Sequence, residues 1–290
     1  MGIEGAERLH EREGIKLAAE PSVFTAPRIM LEYFFSVLTG GQPSAPSATT
    51  GEWWQLVNLT YPHKLIPLFY RTAEQLPEYC QPPELVMRHL KRLYVESRLR
   101  GLMMETQLRE ALVAMTAHGA EPLVLKGLAL AYQYYSDPAV RSGTDIDLLV
   151  RPDHFPAAKR ALLSLGYRDH GERFENAPHL ANESSFVSGR SDYRIDLHWA
   201  MHPYNRVDRE REAVELIERA VMTGPDTLRF RTLSPADEFI QSARHLTWNH
   251  LDSLRLIWVW DLRLVGQMIE AGQGWPEVRE LAARSHAGAA

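Results

Sequence analysis

The chain reads as an α/β (α+β) protein, a small mixed-sheet core flanked by N- and C-terminal helical modules. Three observations carry this reading. Residues 27–118 repeat apolar positions at helical spacing. From Gly119 short apolar runs alternate with turn signals in the order strand, helix, strand, helix, strand, strand. From Ser234 helical patterning returns, rich in Trp, Leu and Ile.

Taken in order, residues 1–26 are polar and carry no clear pattern, as a disordered N-terminus would. Pro27 suits the first turn of a helix running to Thr39, and the Gly, Pro and Ser of residues 40–51 make a loop. Helical spacing resumes from Glu52 to Leu76 through Trp53, Leu56, Leu65, Leu68 and Phe69. After a Pro-rich break it runs from Glu84 to His118, with Gly101 inside a helix or at its joint.

The core begins with GAEPLVLKG, a buried strand after a turn, followed by the helix LALAYQYYS and the loop SDPAVRSGT. DIDLLVR is a strand with Ile146, Leu148 and Val150 on one face and Asp145, Asp147 and Leu149 on the other. An amphipathic helix follows, with Asp153 as its expected cap and Gly166 near its end. ESSFVSG and YRIDLHWAM are two further strands. Ser234-Pro235-Ala236-Asp237 then starts a helix, with a capping hydroxyl, a first-turn proline and an acid at the positive end of the dipole.

Composition narrows the class. With 290 residues, 45% hydrophobic and 24% charged, the chain is ordinary for a soluble globular protein. A net charge of -5 argues against a general nucleic-acid surface. The single cysteine, Cys80, excludes an internal disulfide and a thiolate metal cluster. No apolar run approaches membrane-spanning length and the N-terminus is no secretory signal, so a cytoplasmic location is expected.

The chemistry is expected at the aspartates. Asp145 and Asp147 lie two apart on a strand and project from one face. Asp196 shares the alternation of its own strand with His198. If the two strands are neighbours, three carboxylates converge, and crowded like charges need a cation to neutralise them. Hard divalent ions, Mg²⁺ or Mn²⁺, take such oxygen ligands together with substrate phosphates, and paired metals clamp a phosphoryl transfer. The bare D-x-D pattern is common, and acids at strand ends are often simply solvated.

LVLKGLALAYQYYSDPAVRSGTDIDLLVRPDHFPAAKRALLSLGY, followed by RIDLHWAMH, resembles the uncharacterised nucleotidyltransferase family related to the polymerase-beta-like superfamily. Weaker echoes are WWQLVNLTYPHKLIPLFYR and HLTWNHLDSLRLIWVWDL. The resemblance implies a nucleotidyltransferase core over residues 119–233, a short mixed sheet with helices on one side, between helical modules at 27–118 and 234–290. It implies that Asp145 and Asp147 bind two metals, and that Asp196 completes the metal nearer the acceptor. It implies an NTP substrate, ATP foremost, an NMP transferred to a small-molecule, peptide or protein acceptor, and pyrophosphate released. Gly127 would let backbone amides approach the triphosphate.

Two departures stand out. The superfamily usually has Gly-Ser or Gly-Gly where this chain has Gly127-Leu128, and the gap from there to Asp145 is long. Phosphate binding would then lean on Lys126 and Arg141. Lys126 could instead pack its stem at a strand end, and Arg141 could instead pair with an acid such as Asp145. His198 reads as a structural histidine before it reads as a proton carrier. The tryptophans at 248, 258 and 260 read as core, and His245 and Asp261 as a possible buried polar pair. Two other classes stay open, a non-catalytic nucleotide-binding protein on the same fold and a kinase-like phosphotransferase.

Overall fold

The computed structural model describes residues 27–141, 143–170, 182–189, 193–201, 209–249 and 254–284. The N-terminal stretch 1–26, expected to be disordered, lies outside the described residues, as do Ser142 and the Trp248 side chain.

Helix α1 (Arg28–Leu38) buries Met30, Tyr33, Phe34, Val37 and Leu38, the stripe of an amphipathic helix. The helical pattern from Glu52 onward resolves into α2 (Thr50–Thr60) and α3 (Ile66–Ala73). Thr49 and Glu52 cap α2 reciprocally: the Glu52 N–H donates to Thr49 Oγ1 at 3.2 Å and the Thr49 N–H to Glu52 Oε2 at 2.7 Å. A 3-10 turn at Tyr61–His63 separates the two helices, because Pro62 has no N–H and Lys64 turns left-handed at φ 58°.

Helix α4 (Glu84–Ala117) has 34 residues and is about 50 Å long at 1.5 Å per residue. It serves two cores. Val86, Leu90 and Leu93 join α1–α3, while Met104, Leu108, Ala111 and Met115 lie under the sheet.

The sheet has seven strands among the described residues, β1 (Leu123–Leu125), β2 (Asp145–Leu149), β3 (Tyr167–Asp169), β4 (Glu183–Ser188), β5 (Arg194–His198), β6 (Val221–Thr223) and β7 (Phe230–Thr232). Their order is β3-β4-β5-β2-β1-β7-β6. β2 runs parallel to β5 and β1 parallel to β7; the other pairs are antiparallel. The three strands that the pattern did not reveal, β3, β6 and β7, have three residues each, too few for alternation to register.

One face of the sheet is apolar. Val124, Ile146, Leu148, Phe186, Ile195 and Leu197 pack on α4 and on α6 (Phe155–Ser164). Each such side chain contributes about 1.5–3 kcal/mol relative to exposure. The other face carries Leu123, Leu125 and Leu149 against α7 (Arg209–Glu218), and beside them the acids. Helices therefore cover parts of both faces, where one was expected. The expected cap of α6 is also corrected. A 3-10 turn at Pro152–His154 precedes the helix, His154 holds the cap position, and Asp153 accepts from Arg151 Nε at 3.1 Å.

Helix α5 (Lys126–Tyr134) follows β1 without a loop. At the far end α8 (Pro235–Arg244) starts as expected, with the Asp237 N–H donating to Ser234 Oγ at 3.2 Å. A π-helical turn (His245–Asn249) extends it, and α9 (Leu256–Ala271) and α10 (Trp275–Arg284) complete the described chain. Leu130, Ala236, Ile240, Val265, Ile269 and Val278 bind α5 to these helices. Trp258 and Trp260 are half-buried and pack against the N-terminal cluster. No described helix is long and apolar enough to cross a membrane.

Candidate active site

Pairing β2 with β5 in parallel register sets Asp147 directly beside Asp196 and Asp145 beside Arg194. Alternation turns Ile146, Leu148, Ile195 and Leu197 into the core, so the acids emerge together on the opposite face. Antiparallel pairing of β4 with β5 then adds Ser185 beside Asp196 and Glu183 beside His198.

Each acid meets a donor. Asp147 Oδ1 accepts from Lys126 Nζ at 2.7 Å and from His198 Nε2 at 3.0 Å. His198 Nδ1 lies 2.9 Å from Glu183 Oε2 in an ion pair too bent for a hydrogen bond. Arg194 spans the other two acids, with Nη2 3.1 Å from Asp145 Oδ2 and Nε 3.0 Å from Asp196 Oδ1. Ser185 Oγ donates to Asp196 Oδ1 at 2.5 Å.

The electrostatics follow from these contacts. Burial would raise the Asp147 carboxyl, but Lys126 and His198 outweigh it and hold the group well below the usual carboxylate range. Burial would lower Lys126, and Asp147 reverses the sign and raises it. Burial and Lys126 both disfavour a charged His198, yet Asp147 and Glu183 prevail and raise it. Asp196 is pushed up, first by burial and then by Asp147, with the Ser185 hydroxyl opposing.

The strand-to-helix junction that carries Lys126 is unusual. Lys126 adopts φ 50°, a left-handed conformation that costs a non-glycine residue about 1–2 kcal/mol. It places the ammonium back over β2. The neighbouring Gly127 leaves open space, and a Cβ built there would meet only Gly143 Cα at 3.8 Å. Leu128, in place of a serine, is buried in the sheet core.

These groups line one cavity of about 750 Å³, between the sheet and α8–α9, with Lys64 reaching it from the N-terminal helices. Its helical wall includes Glu238, Gln241, Ser242, Arg255, Trp258 and Asp261. Arg141 also lines it, gripping Asp261 through Nε and Nη2, both 2.9 Å from the carboxylate. Tyr135 Oη donates to the same carboxylate at 2.7 Å. Glu238 is buried, with Oε1 accepting from Ser242 at 2.7 Å and Oε2 without a partner; Gln241 Oε1 also lacks one. Burial lifts the Glu238 carboxyl to about 7, against the Ser242 hydrogen bond.

A family model described as uncharacterised nucleotidyltransferase matches residues 49–290. The chain belongs to this family. Among solved structures it is similar to a solution structure of the antibiotic-resistance factor ANT(2'')-Ia. Identity is 14%, 64% of this chain and 95% of that one are covered, and the TM-score is 0.48. A crystal structure of ANT(2")-Ia in complex with adenylyl-2"-tobramycin is similar at 14% identity, covering 63% and 99%, with a TM-score of 0.43. No curated protein matches the chain in sequence.

For this member of the nucleotidyltransferase family, the structure brings together all six expected site residues, Asp145, Asp147, Asp196, Lys126, Gly127 and Arg141, in one cavity. Arg141 arrives in an unforeseen partnership, since the acid it grips is Asp261. Sequence reasoning missed Arg194 and Glu183. Arg194 could have been found, because it stands two residues before Asp196 on the same strand face. Glu183 could not, since only the β4–β5 register sets it beside His198.

The oxygen donors of the three aspartates suit a hard divalent ion. Among the described residues no three His, Cys, Asp or Glu side chains stand as a ready chelate. Here Lys126, His198 and Arg194 carry the compensating charge, and a metal would compete with them for the same oxygens.

Proposed function

We propose that this protein transfers an NMP from an NTP, ATP being the first to test, to a hydroxyl or similar group on a small-molecule, peptide or protein acceptor, releasing pyrophosphate. The observation that carries the reading is the side-by-side register of Asp147 and Asp196, with Asp145 two residues away, on the wall of a single cavity. Membership of the nucleotidyltransferase family supports it.

Asp145, Asp147 and Asp196 would hold divalent cations, which when bound neutralise the triphosphate and the attacking oxygen. The chain's own residues do the rest. Asp196 would complete the metal nearer the acceptor and help activate the acceptor hydroxyl, with Ser185 holding its carboxylate. His198 and Glu183 hold Asp147 in one orientation. Lys126 presents its ammonium at the turn where Gly127 leaves room for phosphate oxygens. Arg141 adds positive charge while its fork stays bonded to Asp261. The cavity lies between the sheet on one side and α8 and α9 on the other, room enough for a nucleotide and an acceptor group. The unpartnered oxygens of Glu238 and Gln241 on that second wall favour an acceptor rich in hydrogen-bond donors.

The test is turnover of each NTP with Mg²⁺ or Mn²⁺ and a cell extract as acceptor source. Pyrophosphate release that falls by about 10²–10³-fold in Asp147→Asn, with the fold intact, is the expected result. Release of nucleoside diphosphate would replace the reading with phosphotransfer. Nucleotide binding without any release from supplied acceptors would favour a non-catalytic binding protein.

A further inference from the structure

The cavity also holds positive charge that no aspartate pairs with directly. Lys64 and Arg255 both line it, one from the turn between α2 and α3, the other from the residue before α9. The two segments meet, since the Leu256 N–H donates to His63 Nδ1 at 3.4 Å, and the Arg255 charge is felt at Lys64. Arg255 lies over the Trp258 ring, its Cζ 5.4 Å from the centroid. Neither cation has a carboxylate in ion-pair contact among the described residues.

Arg255 is exposed, and the weight of the crowded cations falls on the half-buried Lys64. Burial pushes the Lys64 ammonium down to about 8, and Arg255, Arg141 and Arg100 push the same way, with Asp145 alone opposing. Lys64 also holds φ 58°, a conformation that glycine adopts freely, so a lysine is kept where the backbone favours another residue. The two lysines with positive φ, Lys64 and Lys126, line the same cavity. Strain and unmatched charge of this kind cluster at ligand sites.

We propose that Lys64 and Arg255 form a polyphosphate clamp, which takes the β- and γ-phosphates of the nucleotide and then the leaving pyrophosphate. The identity of the anion rests on the nucleotidyltransfer reading. The clamp gives the N-terminal helical region a working part in the active site through Lys64. Two cations presented together suit the charge and the adjacent phosphates of a polyphosphate.

Titration calorimetry on the full chain with three probes, inorganic pyrophosphate, Mg-ATP and AMP, tests this. Lys64→Gly relieves the backbone while removing the charge, Lys64→Arg keeps the charge, and Arg255→Gln removes the second cation. Melting temperatures check that each variant is folded. The clamp predicts about tenfold weaker binding of pyrophosphate and ATP in Lys64→Gly and in Arg255→Gln, with AMP unchanged and Lys64→Arg close to wild type. Equal affinities in all variants, an equal loss for AMP, or a wild-type protein that binds no pyrophosphate would overturn it. Pyrophosphate binding that is lost in the variants, from a protein that binds no nucleotide, would uphold the clamp and break the nucleotidyltransfer reading. Nucleotide binding indifferent to both substitutions would do the reverse.

Discussion

The two walls of the cavity handle charge in opposite ways. On the sheet wall every aspartate is met by a cation on a long and partly exposed side chain. Arg194, which serves Asp145 and Asp196, is 48% exposed. On the helical wall the Arg141–Asp261 pair is sealed at 6% and 2% exposure, and Glu238 beside it keeps an oxygen with no partner. Compensation by a solvated side chain is exchangeable, so a ligand or metal can replace it at little cost. Compensation inside the core is architecture, because removing one partner strands the other charge. The first wall is built to change partners and the second to tie the turn before β2 to α9.

Substitutions at Arg141, Glu238 and Arg194 probe that contrast, from the largest expected effect to the smallest. Arg141→Met strands Asp261 and should cost about 3–5 kcal/mol, a fall of roughly 10 °C in melting temperature. Asp261→Asn in the same chain should restore part of it, since an amide oxygen can still accept from Tyr135. A loss below about 1 kcal/mol would mean that the helical wall is not held by this pair.

Glu238 gives an effect of the opposite sign. Its folded carboxyl titrates near 7, above the ordinary glutamate value, through burial and the neighbouring Asp261 charge. A raised folded value means that stability is fully present below about 4.5 and lost as pH climbs through about 7. Glu238→Gln should therefore be more stable than wild type at pH 8, by on the order of 2 kcal/mol, and equal to it near pH 4.5. Melting curves across this range decide it, and parallel curves would contradict an ionising, buried Glu238.

Arg194→Gln should barely change stability, by less than about 1 kcal/mol, because the arginine is itself 48% exposed and the buried Asp196 keeps its Ser185 hydrogen bond. It should instead tighten Mn²⁺ binding measured by electron paramagnetic resonance, since a competitor for the Asp145 and Asp196 oxygens is gone. A large stability loss, or weaker Mn²⁺ binding, would make the two arginine pairs alike and erase the contrast between the walls.

Much of this is legible along the chain. Alternation over 145–149 and 194–198 predicts which side chains face the core and which face the site, because a strand offers only two faces. Helical spacing predicts the buried stripes of α1 and α8, and Ser234 announces its own cap. The aspartates declare themselves because acids at alternate positions of an apolar strand break its pattern. What the chain by itself determined is thus local: period, cap, turn and the chemistry of the exposed face. Tertiary structure alone decided that β2 pairs with β5 in the register that joins Asp147 to Asp196, and that Arg141 meets Asp261 across 120 residues of chain. It alone brought the segments of Lys64 and Arg255 together, and set Glu183 beside His198. The physical reason is range. Backbone sterics and side-chain periodicity act over a few residues, whereas partners brought together by a buried core are chosen by how whole elements pack, which no short window of sequence contains.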